Sequence, residues 1–388
     1  MPPSPPGALR CRTWPTARSA PRQRRASSAR GWGCDVAQAS ERAVKVQIEN
    51  GPAFEVAAGE DSLLRAALRA GFDFPYECSV GGCGACRFDL LDGPMATLWE
   101  QAPGLSERDR RRGKRLACQS LPLGDCTIRV RPAGSEPSGL PAAQRLSATL
   151  MTRRAVTPDL SEFTFRLPAD PGFRAGQYAL LYPPGVQGAR AYSFSDAPGE
   201  PADAGIWRFM IRRVPGGRGS NALFDQVSPG DVIDLDGPYG HAWLRSADAD
   251  HPRDVVCVAG GSGLGPMLSV ARGVLAEAAT ASARRVHFFL GLRTQAELGA
   301  AAEVESLGGG DRLQLTTVLS NPTEGLAWSG PTGFVHHQVE ATLTALGRPF
   351  DAYDHYFAGP PPMVEAVQEL LMVRRRVPFG QIHFDRFV

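Results

Sequence analysis

The sequence predicts three successive folding units: a small α+β unit, an antiparallel β-barrel or sandwich, and a parallel α/β unit. Three observations lead there. A loop carrying three cysteines, with a fourth further on, lies among short strand-like segments before residue 131. Between residues 146 and 235, short apolar segments recur at regular intervals, separated by Gly and Pro turns. From Asp254 onward, strand-like and helix-like segments alternate, the pattern of a parallel sheet with covering helices. A length of 388 residues accommodates two or three domains, and 43% hydrophobic with 21% charged residues is ordinary globular composition.

Residues 1–40 are rich in Pro, Arg and Ser, show no apolar periodicity and carry seven Arg against one Asp. No apolar segment follows Arg24-Arg25, so no secretory or twin-arginine signal is read there. The composition suits an organelle transit peptide or a disordered tail, but the abrupt start of the strand pattern at Val44 favours a segment extraneous to the native protein, from a start site placed too far upstream. Without this tail the formal charge of +2 becomes −4, so the folded body is mildly acidic, which argues against a nucleic-acid binder.

The first unit is expected over residues 44–131. Val44–Ile48 and Phe54–Val56 read as a hairpin around Gly51-Pro52, Leu63–Arg69 as a short helix opened by Asp61-Ser62, and Arg87–Leu91 and Cys126–Arg131 as further strands. Between them, Cys78, Cys83 and Cys86 stand in a C-x4-C-x2-C array and Cys118 follows, the plant-type spacing for a [2Fe–2S] cluster. Gly81, Gly82, Gly84 and Ala85 let the backbone close on the sulfurs. Zinc sites usually pair two short arms, whereas here three cysteines share one loop, so iron–sulfur is favoured over zinc or inert thiols. Two short hairpins, one helix and a cluster within about 90 residues read as a ferredoxin-like β-grasp domain. The run Ser106–Arg112 is read as a solvated helix face rather than a patch for an anionic partner.

A Pro/Gly/Ser-rich linker is expected over 132–145, followed by the all-β unit over 146–250 and the α/β unit over 251–388. In the β unit, Arg190-Ala-Tyr-Ser193 falls on a strand, and Val214-Pro-Gly-Gly-Arg-Gly-Ser220 runs into a helix-like segment, Asn221–Gln226. A glycine turn at a helix N-terminus offers free N–H groups and a favourable dipole to phosphate, though Gly216-Gly217 alone would be read as a hairpin turn. In the α/β unit, Gly260–Pro266 follows a clean apolar strand and places Pro266 in the first helical turn. The dinucleotide fingerprint also expects an acid after the second strand, and the tip Gly291–Gln295 has none. Arg293 there is placed to pair with the adenosine end or to serve as a plain surface charge. NADH versus NADPH therefore stays open from these residues.

As a set, the four cysteines, R-x-Y-S at 190–193, G-G-x-x-S at 216–220, the glycine loop at 260–266 and Gly359-Pro-Pro-Pro-Met363 make the chain resemble the NAD(P)H-dependent reductase components of bacterial multicomponent oxygenases over residues 44–388. The resemblance implies a plant-type ferredoxin domain, an antiparallel FAD-binding β-barrel and an NAD(P)-binding α/β domain. It implies that Arg190 and Gly216, Gly217 and Ser220 hold the FAD pyrophosphate, Tyr192 packs on the flavin, and Ser193 lies at the reacting edge. Phe387, with Phe384 nearby, would cover the ring. Gly261, Gly263 and Pro266 would cradle the nucleotide, and Gly359, Pro360 and Met363 would border the nicotinamide. Where many relatives carry a cysteine before this Gly-Pro, the present chain has Ala358, which weakly tilts the subclass toward di-iron mono-oxygenase reductases.

The activity so implied moves electrons from NAD(P)H, with NADH preferred, through FAD and the cluster. They pass to the hydroxylase component of a mono-oxygenase, directly or through a separate Rieske ferredoxin. A Rieske-type ring-hydroxylating dioxygenase as the client is the alternative, and a cluster-based redox sensor or a flavin oxidase the rival from another class. An acidic face on the ferredoxin domain is expected to serve docking. The chain is expected to be a cytoplasmic monomer. Its longest uncharged stretch, Val255–Ala271, is broken by glycines and Pro266 and is no membrane span. Cys11, Cys34, Cys126 and Cys257 show no pairing pattern, which fits a reducing compartment. His336-His337 has no supporting ligand cluster and is read as a solvated or structural pair.

Overall fold

The structure is a computed structural model that describes residues 42–131, 142–199, 204–248, 251–278 and 283–387; the expected tail 1–40 and most of the expected linker lie outside them. In the first unit, β1 (Val44–Ile48) and β2 (Ala53–Val56) form the hairpin, with Val44, Val46 and Ile48 turned into the core. The Ser62 hydroxyl accepts from the Arg65 N–H (3.4 Å) and so caps α1 (Leu63–Arg69), whose Leu63, Leu64, Ala66 and Ala67 are buried. There follow β3 (Arg87–Asp92), β4 (Met95–Thr97), α2 (Glu107–Arg111), β5 (Lys114–Leu116), β6 (Ser120–Pro122) and β7 (Cys126–Arg129). The main sheet runs β2-β1-β7-β3-β5, with β1 parallel to β7, and β4 pairs separately with β6. Strands β4, β5 and β6 have three residues each, too few to show alternation, which is why the sequence did not reveal them.

The second unit consists of β8 (Gln144–Ala155), β9 (Leu160–Arg166), β10 (Tyr178–Tyr182), β11 (Arg190–Ser193), β12 (Ile206–Arg212), α3 (Arg218–Gln226) and β13 (Val232–Tyr239). Strand β8 begins at Gln144, two residues inside the segment expected to be linker. Gln144 and Arg145 join the ladder opposite Gly237 and Asp236 despite their polarity. The sheet order is β11-β10-β13-β8-β9-β12, antiparallel throughout. A bridge between Phe194 and Phe209 ties the two edges and closes the sheet into a barrel. Phe163, Phe165, Phe194, Trp207 and Phe209 fill its interior.

The third unit runs β14 (Asp254–Gly260), α4 (Leu264–Leu275), β15 (Val286–Leu292), α5 (Gly299–Glu305), β16 (Leu313–Leu319), α6 (Val335–Ala345), β17 (Tyr353–Gly359), α7 (Pro361–Gln368) and β18 (Ile382–Arg386). All five strands are parallel in the order β16-β15-β14-β17-β18. The order reverses between β14 and β17, which puts the ligand crevice of an open α/β sheet at Gly260 and Gly359. Edge strand β18 has mixed polarity and was not foreseen.

Where the first unit meets the barrel, the contact is polar and aromatic. Asp236 of β13 is fully buried, with Arg69 Nη2 at 2.8 Å and Arg65 Nε at 3.7 Å. The Tyr182 hydroxyl donates to Asp61, and the Tyr76 hydroxyl accepts from Gly240 N–H (3.1 Å) while its ring lies 4.6 Å from that of His241. Removing one partner of a buried ion pair strands the other, at about 3–5 kcal/mol. Asp236→Ala is therefore expected to lower the unfolding free energy by about 3 kcal/mol. Urea denaturation followed by circular dichroism checks this, and an unchanged midpoint would contradict the role assigned to the joint.

Candidate functional site

The cysteine loop leaves α1 and returns into β3, and its sulfurs meet in two pairs. Cys78 and Cys83 exchange backbone N–H···S contacts at 3.5 and 3.4 Å, Ala85 N–H adds another to Cys83 (3.4 Å), and the sulfurs of Cys86 and Cys118 are 3.3 Å apart. The loop is tight at Gly84, whose φ is +81° and where a Cβ would fall 2.4 Å from the Gly104 carbonyl oxygen. The Cys83 thiol hydrogen-bonds the Cys78 sulfur and, with backbone N–H groups of Val80, Cys83 and Gly82, holds Cys78 down to about 5 against burial. The Cys86 thiol is likewise lowered, first by its contact with Cys118. Among the described residues no group of three His, Cys, Asp or Glu converges as on a single ion. Two thiol pairs fit a dinuclear cluster, with two ligands to each iron, and do not fit a tetrahedral zinc site.

Cys78 and Cys83 open onto a cavity of about 370 Å³. Its other walls are Arg190, Tyr192 and Ser193 of β11, Gly217–Ser220 at the start of α3, Ser262 of the glycine loop, and Phe384–Phe387 around the end of β18. Helix α3 has Gly217 at its N-cap and no side-chain cap, so its first N–H groups face the cavity unsatisfied. The Ser220 hydroxyl accepts from Val214 N–H (3.1 Å) and ties the turn. Burial pushes the Tyr192 phenol up to about 12. Arg190, the open helix N-terminus and the aromatic wall fit a flavin dinucleotide: cation and N–H groups for its pyrophosphate, apolar surface for its ring.

A second cavity of about 350 Å³ lies over the carboxyl ends of the parallel strands, lined among others by Gly260, Gly261, Arg293, Glu297, Phe334, Pro360 and Met363. Glu297 accepts from Arg293 N–H (2.7 Å) and from the Arg293 guanidinium (2.9 and 3.1 Å), and Arg212 stands 3.4 Å away. These partners outweigh burial and hold its carboxyl below the usual range. An acid thus stands in the cavity wall six residues after Gly291, on a 3-10 turn (Gln295–Glu297).

Of the sequence-predicted residues, Arg190, Tyr192, Ser193, Gly217, Ser220 and Phe387 line the first cavity together with Cys78 and Cys83, and Gly261, Arg293, Pro360 and Met363 line the second. Cys86 and Cys118 are buried behind them. Gly216, Gly263, Pro266 and Gly359 line neither. Gly263 serves packing: a Cβ there would fall 1.9 Å from the Ala358 carbonyl oxygen, so only glycine lets the loop cross β17. Pro266 is buried in the first turn of α4, and Gly216 shapes the turn before α3 with φ +71°. Sequence reasoning missed Glu297, Tyr178 and Asp385. Tyr178 looks like an ordinary strand aromatic, but its hydroxyl reaches the Glu77 carbonyl (2.6 Å) and the Ser79 hydroxyl (2.7 Å) in the cysteine loop. Asp385, in the cavity wall, is pushed up to about 7 by burial and by Glu77, with a hydrogen bond to Ser193 working the other way.

Fold and site together define an iron–sulfur flavoprotein oxidoreductase fed by a nicotinamide nucleotide. Residues 46–123 match the 2Fe-2S iron-sulfur cluster binding domain, 147–243 the oxidoreductase FAD-binding domain and 257–369 the oxidoreductase NAD-binding domain. The chain is 38% identical over 328 residues to a ferredoxin–NAD(P)+ reductase of Metapseudomonas resinovorans (84% of this chain, 94% of that one). It is 39% identical over 334 residues to the ferredoxin–NAD+ reductase component of an alkene monooxygenase system of Xanthobacter autotrophicus (85% and 96%). The solved ferredoxin reductase in carbazole 1,9a-dioxygenase superposes with a TM-score of 0.77 at 34% identity, over 89% of this chain and 99% of that one. The chain belongs to the family of ferredoxin–NAD(P)+ reductases that form the electron-transfer components of mono- and dioxygenase systems.

A carboxyl group whose pKa is raised on folding makes the folded chain hold a proton that the unfolded chain has released, so stability falls as pH rises through the window between the two values. For Asp385 that window runs from the ordinary aspartate value, 3.8, to about 7. Asp385→Asn is expected to remove this loss, so that its advantage over the wild type grows from nothing near pH 4 to about 4 kcal/mol near pH 7. Urea melts of both chains across the window check it, and parallel stability curves would contradict it.

Proposed function

We propose that this chain takes electrons from NADH and delivers them singly to a separate ferredoxin that serves a multicomponent oxygenase. One observation carries the reading: a single cavity is walled by all three units, with two cluster ligands (Cys78 and Cys83), the barrel motif Arg190–Ser193, Ser262 of the nucleotide loop and Phe387 around it. When bound, FAD accepts a hydride from the nucleotide and the cluster passes electrons on one at a time. In balance, NADH and two oxidised acceptors give NAD+, two reduced acceptors and one proton.

The chain's own residues position and insulate. Arg190 and the N–H groups from Gly217 to Ser220 would hold the pyrophosphate of FAD, Tyr192 and Phe387 would cover the ring and exclude water, and Ser193, hydrogen-bonded to Asp385, would present its hydroxyl to the reacting edge. Pro360 and Met363 border the nicotinamide, and the four cysteines hold the cluster in two pairs. Gly216, Gly263, Pro266 and Gly359 shape these loops. NADH is favoured over NADPH because Arg293 is already engaged by Glu297 (2.9 Å) and Asp159 (3.6 Å), leaving its charge compensated, while Glu297 supplies a carboxylate for a ribose hydroxyl.

A ferredoxin as acceptor is supported by the two ferredoxin reductases described above, and oxygenases as clients by the alkene monooxygenase and carbazole dioxygenase systems among these relatives. Mono-oxygenase service is preferred, because relatives from xylene/toluene, phenol and propane mono-oxygenases also match at 30–34% identity. Dioxygenase service is the second reading, favoured by that reductase's structural likeness. We propose a reducing, cytoplasmic setting, because the described cysteines form no disulfide and four of them are committed as cluster thiolates.

Anaerobic stopped-flow mixing with NADH is expected to bleach flavin absorbance and then cluster absorbance, with NADPH slower at equal concentration. Flavin bleaching beside a cluster that stays oxidised would break the proposed chain. Cys83→Ala is expected to abolish acceptor reduction while leaving flavin reduction intact. Glu297→Ala is expected to raise the KM for NADH about tenfold, a loss of roughly 1.4 kcal/mol, and to narrow its advantage over NADPH. Unchanged NADH kinetics in that variant would remove Glu297 from nucleotide binding.

A further inference from the structure

We propose that the electron-accepting protein docks through a carboxylate-rich face onto a cationic surface built by α2, β5 and Trp99, on the side of the cluster loop away from the flavin cavity residues. This deepens the reading of the cluster as the electron donor and rests on it. The first unit as a whole is neutral: Val44–Arg131 holds twelve Arg and Lys against twelve Asp and Glu. Within that neutral unit the charge is sorted. Helix α2 and the turn after it carry Arg108, Arg110, Arg111 and Arg112, and β5 adds Lys114 and Arg115.

Most of this charge is uncompensated. Arg108, Arg111 and Arg112 are exposed, and among the described residues no carboxylate pairs with any of them. Arg110 and Arg115 meet only neutral acceptors, the Ala102 carbonyl (2.6 Å) and the Thr97 hydroxyl (2.8 Å), while Lys114 pairs with Asp89. A solvated helix face normally interleaves acids with its bases. Here Asp109 of the same helix is diverted to Arg87, which leaves Glu107 as its one exposed acid against the exposed arginines.

The position gives the charge its meaning. A surface hollow of about 340 Å³ has Trp99, Arg110, Lys114, Arg115 and Gln119 in its wall, with Glu100 as its one carboxylate, and shares no residue with the flavin cavity. Gln119 follows the ligand Cys118, and the Trp99 ring sits 3.2 Å from where a Cβ on Gly81 would be, against the cluster loop. Trp99 is nonetheless 45% exposed. An exposed Trp beside several Arg is the composition of an interface hot spot, and a patch of net positive charge steers an oppositely charged partner. The occupant that fits is an acidic redox protein; nucleic acid, a second copy of the chain and a basic partner are the competing outcomes.

The test compares the wild-type holoprotein with Arg108→Glu/Arg111→Glu/Arg112→Glu, all exposed positions away from the cofactor cavities. The probes are a fluorescently labelled small acidic ferredoxin, a basic c-type cytochrome and a short DNA duplex, with affinity read by anisotropy at low and at about 0.5 M salt. Unchanged flavin and cluster absorbance and NADH-driven flavin bleaching verify that the variant is intact. The expected result is a wild-type preference for the acidic ferredoxin that salt weakens, an affinity at least about tenfold lower in the variant at low salt, and a gain for the cytochrome. Equal binding of the acidic ferredoxin by both proteins would overturn the surface alone and leave the reductase reading standing. So would wild-type preference for the cytochrome, displacement of the ferredoxin by DNA, or self-association that the variant abolishes. A cluster that NADH does not reduce would instead bring down the reductase reading, and this inference with it.

Discussion

The seating of the cysteine loop on the barrel is the contact on which everything else depends. Tyr178 belongs to β10, and its hydroxyl reaches two backbone and side-chain groups of the loop, at Glu77 and Ser79. Asp236, one strand over, is buried against two arginines of α1. A buried carboxylate is costly unless matched by charge and hydrogen bonds, and that cost makes the docking specific: only one arrangement of the two units places Arg65 and Arg69 on Asp236. Packing among Tyr178, Leu180, Tyr239, Tyr76 and Val80 adds the apolar part. As a result Cys78 and Cys83 share a cavity with Tyr192 and Ser193 as a property of the folded chain.

The same economy of space governs the nucleotide side. Gly263 lets the glycine loop pass over Ala358, so the crevice between β14 and β17 closes to backbone contact, and Pro360 and Met363 finish it. Strand β18 then carries the chain from this sheet back to the flavin cavity, where Asp385 and Phe387 become part of its wall. Residues far apart in sequence thereby make one compartment, and Arg212, on β12 of the barrel, lines both cavities and stands near Glu297.

Much of this could be read from the sequence because backbone motifs are local. The cysteine spacing, the R-x-Y-S strand and the two glycine turns each need neighbouring residues in a fixed order, and the helix Leu63–Arg69 and the strand Tyr178–Tyr182 have the ranges their patterns give. Side chains that act across units left no such signal. Asp236 in Val232–Tyr239 looks like one more strand acid, and Tyr178 like one more strand aromatic. Glu297 was overlooked because the fingerprint places the acid at the strand tip, whereas a 3-10 turn brings it back from six residues away. The surface at α2 left no signal of its own for a related reason. A run of arginines reads as solvated charge until the fold shows which carboxylates have been taken elsewhere.

An electron carrier of this kind has to keep its donor and acceptor from meeting. Here the separation is chemical as well as spatial. The nucleotide cavity sets two carboxylates, Glu297 and Asp159, against Arg293, compensating charge at its mouth. The surface beside Gln119 keeps its arginines uncompensated. Uncompensated positive charge draws a carboxylate-rich protein to the cluster loop and, because the flavin cavity is walled by other residues, does so without offering that protein the flavin. The net charge of the unit, which is zero, hides this completely; the function lies in which charges the fold pairs and which it leaves facing water.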